Sequence, residues 1–160
     1  MINNYNLIYK MGKKILVTGG TGYIGSHTVV ELQAAGYEVV IIDNLSNSNI
    51  HVLDGIEKIS GKRPVFYELD CNDKPALTEL LKEHNDVKGI IHFAASKAVG
   101  ESVQKPLMYY RNNLVSLLNL LELMPEFEVE GLVFSSSCTV YGQPDILPVT
   151  EEAKITPALS

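Results

Sequence analysis

A doubly wound parallel α/β sheet is the fold this sequence predicts, and three observations predict it. Short runs of β-branched and other apolar residues alternate along the chain with stretches of helical period. The first run, Ile15-Leu16-Val17-Thr18, breaks directly into glycines at 19, 20, 22 and 25 before a helical pattern resumes. The second run, Glu38-Val39-Val40-Ile41-Ile42, closes on an acid, Asp43.

In chain order, residues 1–12 mix Asn, Tyr and Ile without period and read as a loose N-terminal extension, and residues 13–160 as one domain. Gly19, Gly22 and Gly25, with the overlapping Gly20-x-Gly22-x-x-Gly25, satisfy both spacings of the dinucleotide fingerprint. Glycine lets the backbone turn sharply and approach a pyrophosphate, and the following helix turns its unsatisfied N–H groups toward the anion. A plain glycine-rich turn is the alternative. Residues 23–35 place Ile24, Val29, Val30 and Leu32 on a helical pattern, and Gly36 stands where a C-terminal cap belongs.

Asp43 lies eighteen residues beyond Gly25, where an acid takes hydrogen bonds from the ribose hydroxyls and repels a 2′-phosphate, favouring NAD over NADP. Its alternative role is to cap a turn with Asn44. Residues 47–59 carry Ile50, Leu53, Ile56 and Ile59 at three-residue spacing, a helix that Gly61 ends. Residues 64–69 are the third strand. Asp70 at its end either holds an adenine amino group or caps the next helix, residues 73–84, which has Pro75 in its first turn. Residues 89–93 form the fourth strand.

Strands one and four of such a sheet are neighbours whose connections leave on opposite faces, opening a crevice that Phe93, Ala94, Ala95, Ser96 and Lys97 are expected to line. Lys97 reaches the ribose or phosphates of a cofactor, or is an ordinary surface lysine. His92 reads as a satisfied buried imidazole. Residues 106–124 form the longest helix, apolar at 114, 117, 118 and 121 and widened by Leu120, Leu123 and Met124. It either packs on the sheet and offers a dimer contact, or is a deeply buried core helix. Residues 131–135 are the fifth strand and run into the hydroxyl-rich Ser136-Ser137-Cys138-Thr139-Val140-Tyr141-Gly142, again at the crevice. Pro144, Pro148 and Pro157, with Glu151 and Glu152, read as an ordered loop.

Composition excludes several classes of partner. A net charge of −6 with scattered Lys and Arg argues against nucleic acid. No run approaches the ~18 apolar residues of a membrane helix, so no membrane partner is expected. Cys71 and Cys138 form no Cys-x-x-Cys, and nothing upstream of Lys10 looks like a signal peptide's apolar core, so a reducing, cytoplasmic setting is expected. No metal is expected either.

Five segments then carry a resemblance: 17–28 (Val-Thr-Gly-Gly-Thr-Gly-Tyr-Ile-Gly-Ser-His-Thr), 43–48, 97–102, 109–113 and 134–142. Together they resemble the extended short-chain dehydrogenase/reductase family, whose NAD-binding domain is a Rossmann sheet, and within it the nucleotide-sugar epimerases. The resemblance implies a tightly held NAD that takes a hydride from C4 of a UDP-hexose. The resulting 4-keto sugar turns over and receives the hydride on its other face, interconverting UDP-galactose and UDP-glucose. In the family the Tyr of a Tyr-x-x-x-Lys motif takes the C4 hydroxyl proton, the Lys lowers that phenol's pKa, and a Ser, matched by Ser137, relays the proton.

The same resemblance implies Gly22, Tyr23 and Ile24, flanked by Gly19 and Gly25, at the pyrophosphate. It puts Asp43, Asn44, Leu45, Ser46, Asn47 and Ser48 at the adenosine ribose and Asp70 with Cys71 at the adenine. Phe93, Ala94, Ala95, Lys97, Asn112 and Ser137 line the rest of the NAD site, while Ser137, Cys138 and Thr139 face nicotinamide and sugar. Related dehydratases carry an Asp-Glu pair where this chain has Cys138 and Thr139, so dehydration is disfavoured.

There are departures. Ser96 and Cys138 stand where the epimerases more often have an apolar residue and an alanine. The sequence reaches Ser160 about where the family runs into its Tyr-x-x-x-Lys, and Tyr141 is no substitute, because Asp145 stands four residues on. The expectation is therefore the N-terminal portion of such an enzyme, with a truncated sheet incomplete at its C-terminal side, strand five as an exposed edge and no substrate domain. Such a piece is expected to be marginal or self-associating, and its parent a homodimer. The alternatives are a non-catalytic NAD-binding or interaction module, or an epimerase of another nucleotide-sugar.

Overall fold

The computed structural model describes residues 14–144 and 146–155, with the side chains of Cys138 and Thr139 also outside the description. The expected extension over residues 1–12, Asp145, Pro157 and the stretch up to Ser160 lie outside it.

The strands are β1 (Lys14–Thr18), β2 (Glu38–Asp43), β3 (Val65–Glu68), β4 (Val87–His92) and β5 (Gly131–Phe134). They form one parallel sheet in the order β3-β2-β1-β4-β5, with Thr18 opposite His92 and Ile42. Every central strand is apolar on both faces because both faces are covered. Ile15, Val17, Val39 and Ile41 point to one side, where α1 (Tyr23–Ala34) and α2 (Val52–Ser60) bring Val29, Leu32, Leu53 and Ile56. Leu16, Val40, Ile42 and Ile90 point to the other, against Leu77, Leu80 and Leu81 of α3 (Lys74–Glu83) and Leu120 and Leu123 of α6 (Ser116–Glu126). The helices thus change face between β1 and β4, at the strand order's point of reversal, which is where the sequence puts the crevice. β5 is an edge strand, with no further strand beyond it among the described residues.

Local signals fix most helix ends. α1 stops in a Schellman motif: Gly36 at φ +88° donates to Gln33 O, and Tyr37 N–H reaches Leu32 O. Asp73, not Asp70, caps α3 by accepting from Ala76 N–H at 3.0 Å, with Pro75 in the first turn. Helix α2 begins at Val52 rather than at residue 47, because the preceding segment is drawn into side-chain hydrogen bonds with Asp43 and Thr21 that a helix would break.

The long helix needs a larger correction. It consists of α5 (Pro106–Tyr110), a π turn (Arg111–Val115) and α6, and is preceded by a short helix, α4 (Val99–Gln104), that the periodicity does not reveal. Its buried face is Ser116, Asn119, Leu120 and Leu123, whereas Leu114, Leu118 and Leu121 are exposed. That exposure rules out a helix buried all round, and two polar residues occupy the inward face, where Asn119 Nδ2 donates to Cys71 O at 3.0 Å and Asn72 O at 3.2 Å.

His92 ends β4 in the core, 2% exposed, with Nδ1 2.6 Å from Thr18 Oγ1 and its ring stacked on Phe134. Burial brings its pKa down from 6.5 to about 4. Between those values the unfolded chain binds more protons, so this stabilisation is complete above pH 6.5 and is lost as pH falls toward 4. Urea unfolding is expected to show a chain about 2 kcal/mol less stable at pH 5 than at pH 7 from this group alone, and His92→Asn is expected to flatten that dependence.

Candidate functional site

The site is built where β1 and β4 end side by side. Gly19 leaves β1 at φ +68°, and its N–H crosses to Ile42 O at 2.8 Å. A side chain there would put a Cβ 2.8 Å from Ala94 N, so the glycine loop and the loop after β4 touch backbone to backbone. Gly25, one turn into α1, has no room for a Cβ against Gly19 O. Gly22 caps α1 with no side-chain hydrogen bond, and the first turn carries no acid. The positive end of that helix is therefore open to an anion, with Tyr23 81% and Ile24 56% exposed beside it.

Asp43 braces the loop from the end of β2. Its carboxylate accepts from Thr21 N–H at 3.2 Å, Leu45 N–H at 3.0 Å and Ser48 Oγ at 2.9 Å, while Ser48 Oγ also lies 2.8 Å from Thr21 Oγ1. The turn-capping role the sequence allowed for Asp43 is thus present, and its partner is Leu45 rather than Asn44. Asn44 instead turns to Asp70, donating from Nδ2 to Oδ2 at 3.2 Å, while its Oδ1 accepts from Ser46 N–H and Oγ. Burial nudges the Asp70 carboxyl up, but hydrogen bonds from Asn72 and Asn44 outweigh this and hold it below its ordinary value.

Cys71 is the residue expected beside Asp70 at the adenine. Its side chain is 5% exposed and packs in the core beside Leu77 and Leu120, because the chain after β3 turns inward there. Burial pushes the thiol up to about 12, so at neutral pH it is protonated, with a hydrogen bond to Thr18 acting weakly the other way.

Across the crevice, Phe93 N–H donates to Thr18 O at 3.1 Å and Ala94 N–H to Thr18 Oγ1 at 3.2 Å. Ala95 and Lys97 are exposed along the following segment. Asn112 arrives from the π turn: its Oδ1 accepts from Asn72 Nδ2 at 3.1 Å, and its Nδ2 reaches Ser96 Oγ at 3.1 Å. Ser137 is exposed and follows β5 immediately before the 3₁₀ turn Cys138–Tyr141. The sheet's C-terminal edge therefore gathers Gly19, Gly22, Gly25, Asp43, Asp70, Ala94 and Ser137 from five strand ends, with Asn112 added from the π turn.

A family model described as the NAD dependent epimerase/dehydratase family matches residues 15–159. The chain belongs to that family. Within it, the chain is 53% identical over 138 residues to a UDP-glucose 4-epimerase of Bacillus subtilis, covering 86% of this chain and 40% of the relative. It is 49% identical over 149 residues to UDP-glucose 4-epimerase 2 of Arabidopsis thaliana, covering 91% and 42%. Among solved structures it superposes on a UDP-glucose 4-epimerase from Stenotrophomonas maltophila with bound NAD and formylated UDP-arabinopyranose. That match has TM-score 0.82 and 47% identity, over 91% of this chain and 43% of that one. The enzyme from Bifidobacterium longum in complex with NAD+ and UDP gives TM-score 0.82 and 46% identity, over 89% and 42%. This epimerase/dehydratase-family chain thus spans about 40% of the length of the curated relatives it matches.

Three residues of this family member join the site without standing out in the sequence: Thr18, Asn72 and Asn113. Thr18 reads as the last residue of a strand, and Asn72 as part of a turn. Asn113 was visible only as the neighbour of Asn112. The cradle itself makes a sharp prediction. Gly25→Ala is expected to destabilise the chain by about 2–3 kcal/mol, since its Cβ meets backbone that cannot yield. Gly55→Ala, in α2 with open space around its Cβ, is expected to stabilise by about 0.5–1 kcal/mol in the same chemical denaturation series.

Proposed function

We propose that this chain is the NAD-binding portion of a UDP-glucose 4-epimerase. The observation that carries the reading is the uncapped N-terminus of α1 above a cradle of Gly19, Gly22 and Gly25, with Asp43 fixed beside it. The fit is chemical: the cradle admits a pyrophosphate at backbone distance, and Asp43 offers a carboxylate to ribose hydroxyls while opposing a 2′-phosphate. Tyr23 and Ile24 flank the pyrophosphate. Asn44, Leu45, Ser46, Asn47 and Ser48 enclose the adenosine ribose, and Asp70 takes the adenine amino group. Phe93, Ala94, Ala95, Lys97 and Asn112 receive the second ribose and the nicotinamide.

Bound NAD supplies a hydride acceptor and donor at C4 of a UDP-hexose, so that galactose and glucose configurations exchange through a 4-keto sugar with no net oxidation. The residues of this chain orient that exchange. Ser137, which follows β5, would relay the C4 hydroxyl proton to the Tyr base of the family's Tyr-x-x-x-Lys motif; Cys138 and Thr139, assigned to the sugar side by the resemblance, occupy the positions of the dehydratases' acid pair, so water elimination is disfavoured. A phenol acting as base needs a neighbouring ammonium to bring its pKa toward neutrality, and Tyr141 has Asp145 four residues on instead. We therefore assign NAD binding, and not epimerisation, to these 160 residues acting alone. A cytoplasmic setting accords with the free, buried thiol of Cys71, and the net charge of −6 with a nucleotide-sugar rather than a nucleic acid as partner.

A self-associating role has its own support. Val103, Leu107, Tyr110, Leu114, Leu118 and Leu121 are exposed along α4, α5, the π turn and α6, an apolar stripe of the kind that mates with a second copy. The parent is accordingly a homodimer through this helix.

Calorimetric titration is expected to show NAD+ binding with NADP+ at least tenfold weaker, and Asp43→Ser is expected to reduce that preference to less than about threefold. Conversion of UDP-galactose to UDP-glucose by the purified chain at an appreciable rate would overturn the division of labour, and absence of NAD+ binding would overturn the cofactor reading. Sedimentation is expected to show a dimer, with Leu118→Glu shifting it to monomer while changing the thermal midpoint by only a few degrees, since Leu118 is 53% exposed.

A further inference from the structure

After β4 the chain runs on without helix or turn, and its exposure alternates: Ala94 and Ser96 are half-buried, Ala95 and Lys97 exposed. Ser96 is gripped on three atoms. Its N–H donates to Asn113 Oδ1 at 2.8 Å, its carbonyl accepts from Asn113 Nδ2 at 2.9 Å, and its Oγ accepts from Asn112 Nδ2 at 3.1 Å. Two residues on, Ala98 N–H donates to the Tyr109 hydroxyl at 3.1 Å. That hydroxyl in turn donates to Glu101 Oε2 at 3.0 Å, and Glu101 is paired with Lys105 at 3.1 Å. Consecutive residues Asn112 and Asn113 would diverge by about 100° on a regular helix. The π turn Arg111–Val115 widens the helix where both meet the same segment.

These contacts fix residues 96 and 98 against the helix. Side chains alternate along an extended segment, and of these two neighbours only Ser96 uses its side chain on the helix, Ala98 being exposed and held by its N–H. With the Ser96 hydroxyl turned to Asn112, the exposed Lys97 follows on the alternate side of the segment. We propose that Asn113 and Tyr109 are positioning residues that aim the Lys97 ammonium at the nicotinamide ribose of a bound dinucleotide. This rests on the NAD reading above and adds to it the two residues that orient its cation.

The test is a double-mutant cycle on the 160-residue chain, with NAD+ and ADP as ligands and amide hydrogen exchange measured without ligand. Asn113→Ala and Tyr109→Phe are each expected to weaken NAD+ binding about fivefold, as loss of one or two hydrogen bonds does, and to leave ADP binding unchanged. In a Lys97→Ala background neither is expected to weaken NAD+ binding further. Exchange is expected to quicken severalfold at Ser96 in Asn113→Ala and at Ala98 in Tyr109→Phe. Equal losses for ADP and NAD+, or effects that add to Lys97→Ala, would overturn the proposal in favour of general loosening. Unchanged exchange at both amides would overturn the clamp itself. A wild-type chain that takes up no NAD+ would instead overturn the cofactor reading, and with it the role given to Lys97.

Discussion

The backbone contact between Gly19 and Ala94 is the constraint on which the rest of the site depends. It exists because β1 and β4 are neighbours whose ends diverge to opposite faces of the sheet, leaving the two loops to meet over Thr18 and His92. Thr18 serves both strands at once, accepting from Ala94 N–H while its hydroxyl stands against the neutral imidazole of His92. Polar groups buried at this depth are stable only when mutually satisfied, so the junction is rigid for the same reason that it is polar. The glycines are then required by space rather than by flexibility: a Cβ at 19 or 25 would fall on backbone.

A chain of polar side chains, three of them carboxamides, extends that rigidity along the sheet's edge. From Ser46 through Asn44, Asp70, Asn72 and Asn112 to Ser96, each side chain donates to or accepts from the next, joining the loops after β2, β3 and β4 to the π turn. Asparagine suits this work because one carboxamide both donates and accepts, so it can bridge two loops and also mimic a strand partner, as Asn113 does with Ser96. The loops that would touch opposite ends of a dinucleotide are thereby held in one frame before any ligand arrives, which lowers the ordering cost of binding.

The long helix divides its two faces differently from a simple amphipathic pattern. Inward it carries Ser116 and Asn119 beside Leu120 and Leu123, because the sheet face it covers also presents the backbone carbonyls of Cys71 and Asn72. Outward it carries leucines. Apolar residues on the solvent side are therefore surplus to this domain's own core, and they are what a second chain would cover.

How much could be read in advance follows from the range of each interaction. Strands, glycine loop, Asp43 and the caps at Gly36 and Gly61 are local: they depend on period and on conformational preferences that single residues declare, and the strand order followed from the alternation of elements. Asp70 and Cys71 were legible as the end of β3, but not that one carboxylate would be tied to Asn44 and Asn72 while the adjacent thiol turned into the core, since that depends on the packing of α6. The face of the 106–126 helix was misjudged because leucines occur all around it, and only the sheet's carbonyls select Asn119 as the inward residue. The sequence by itself determined the class of fold and the anion-ready turn, because glycine and helix periodicity act within a few residues. Tertiary structure alone decided which amides clamp which loops, because those bonds join residues 11 to 76 positions apart and arise only once the strands and the long helix pack together.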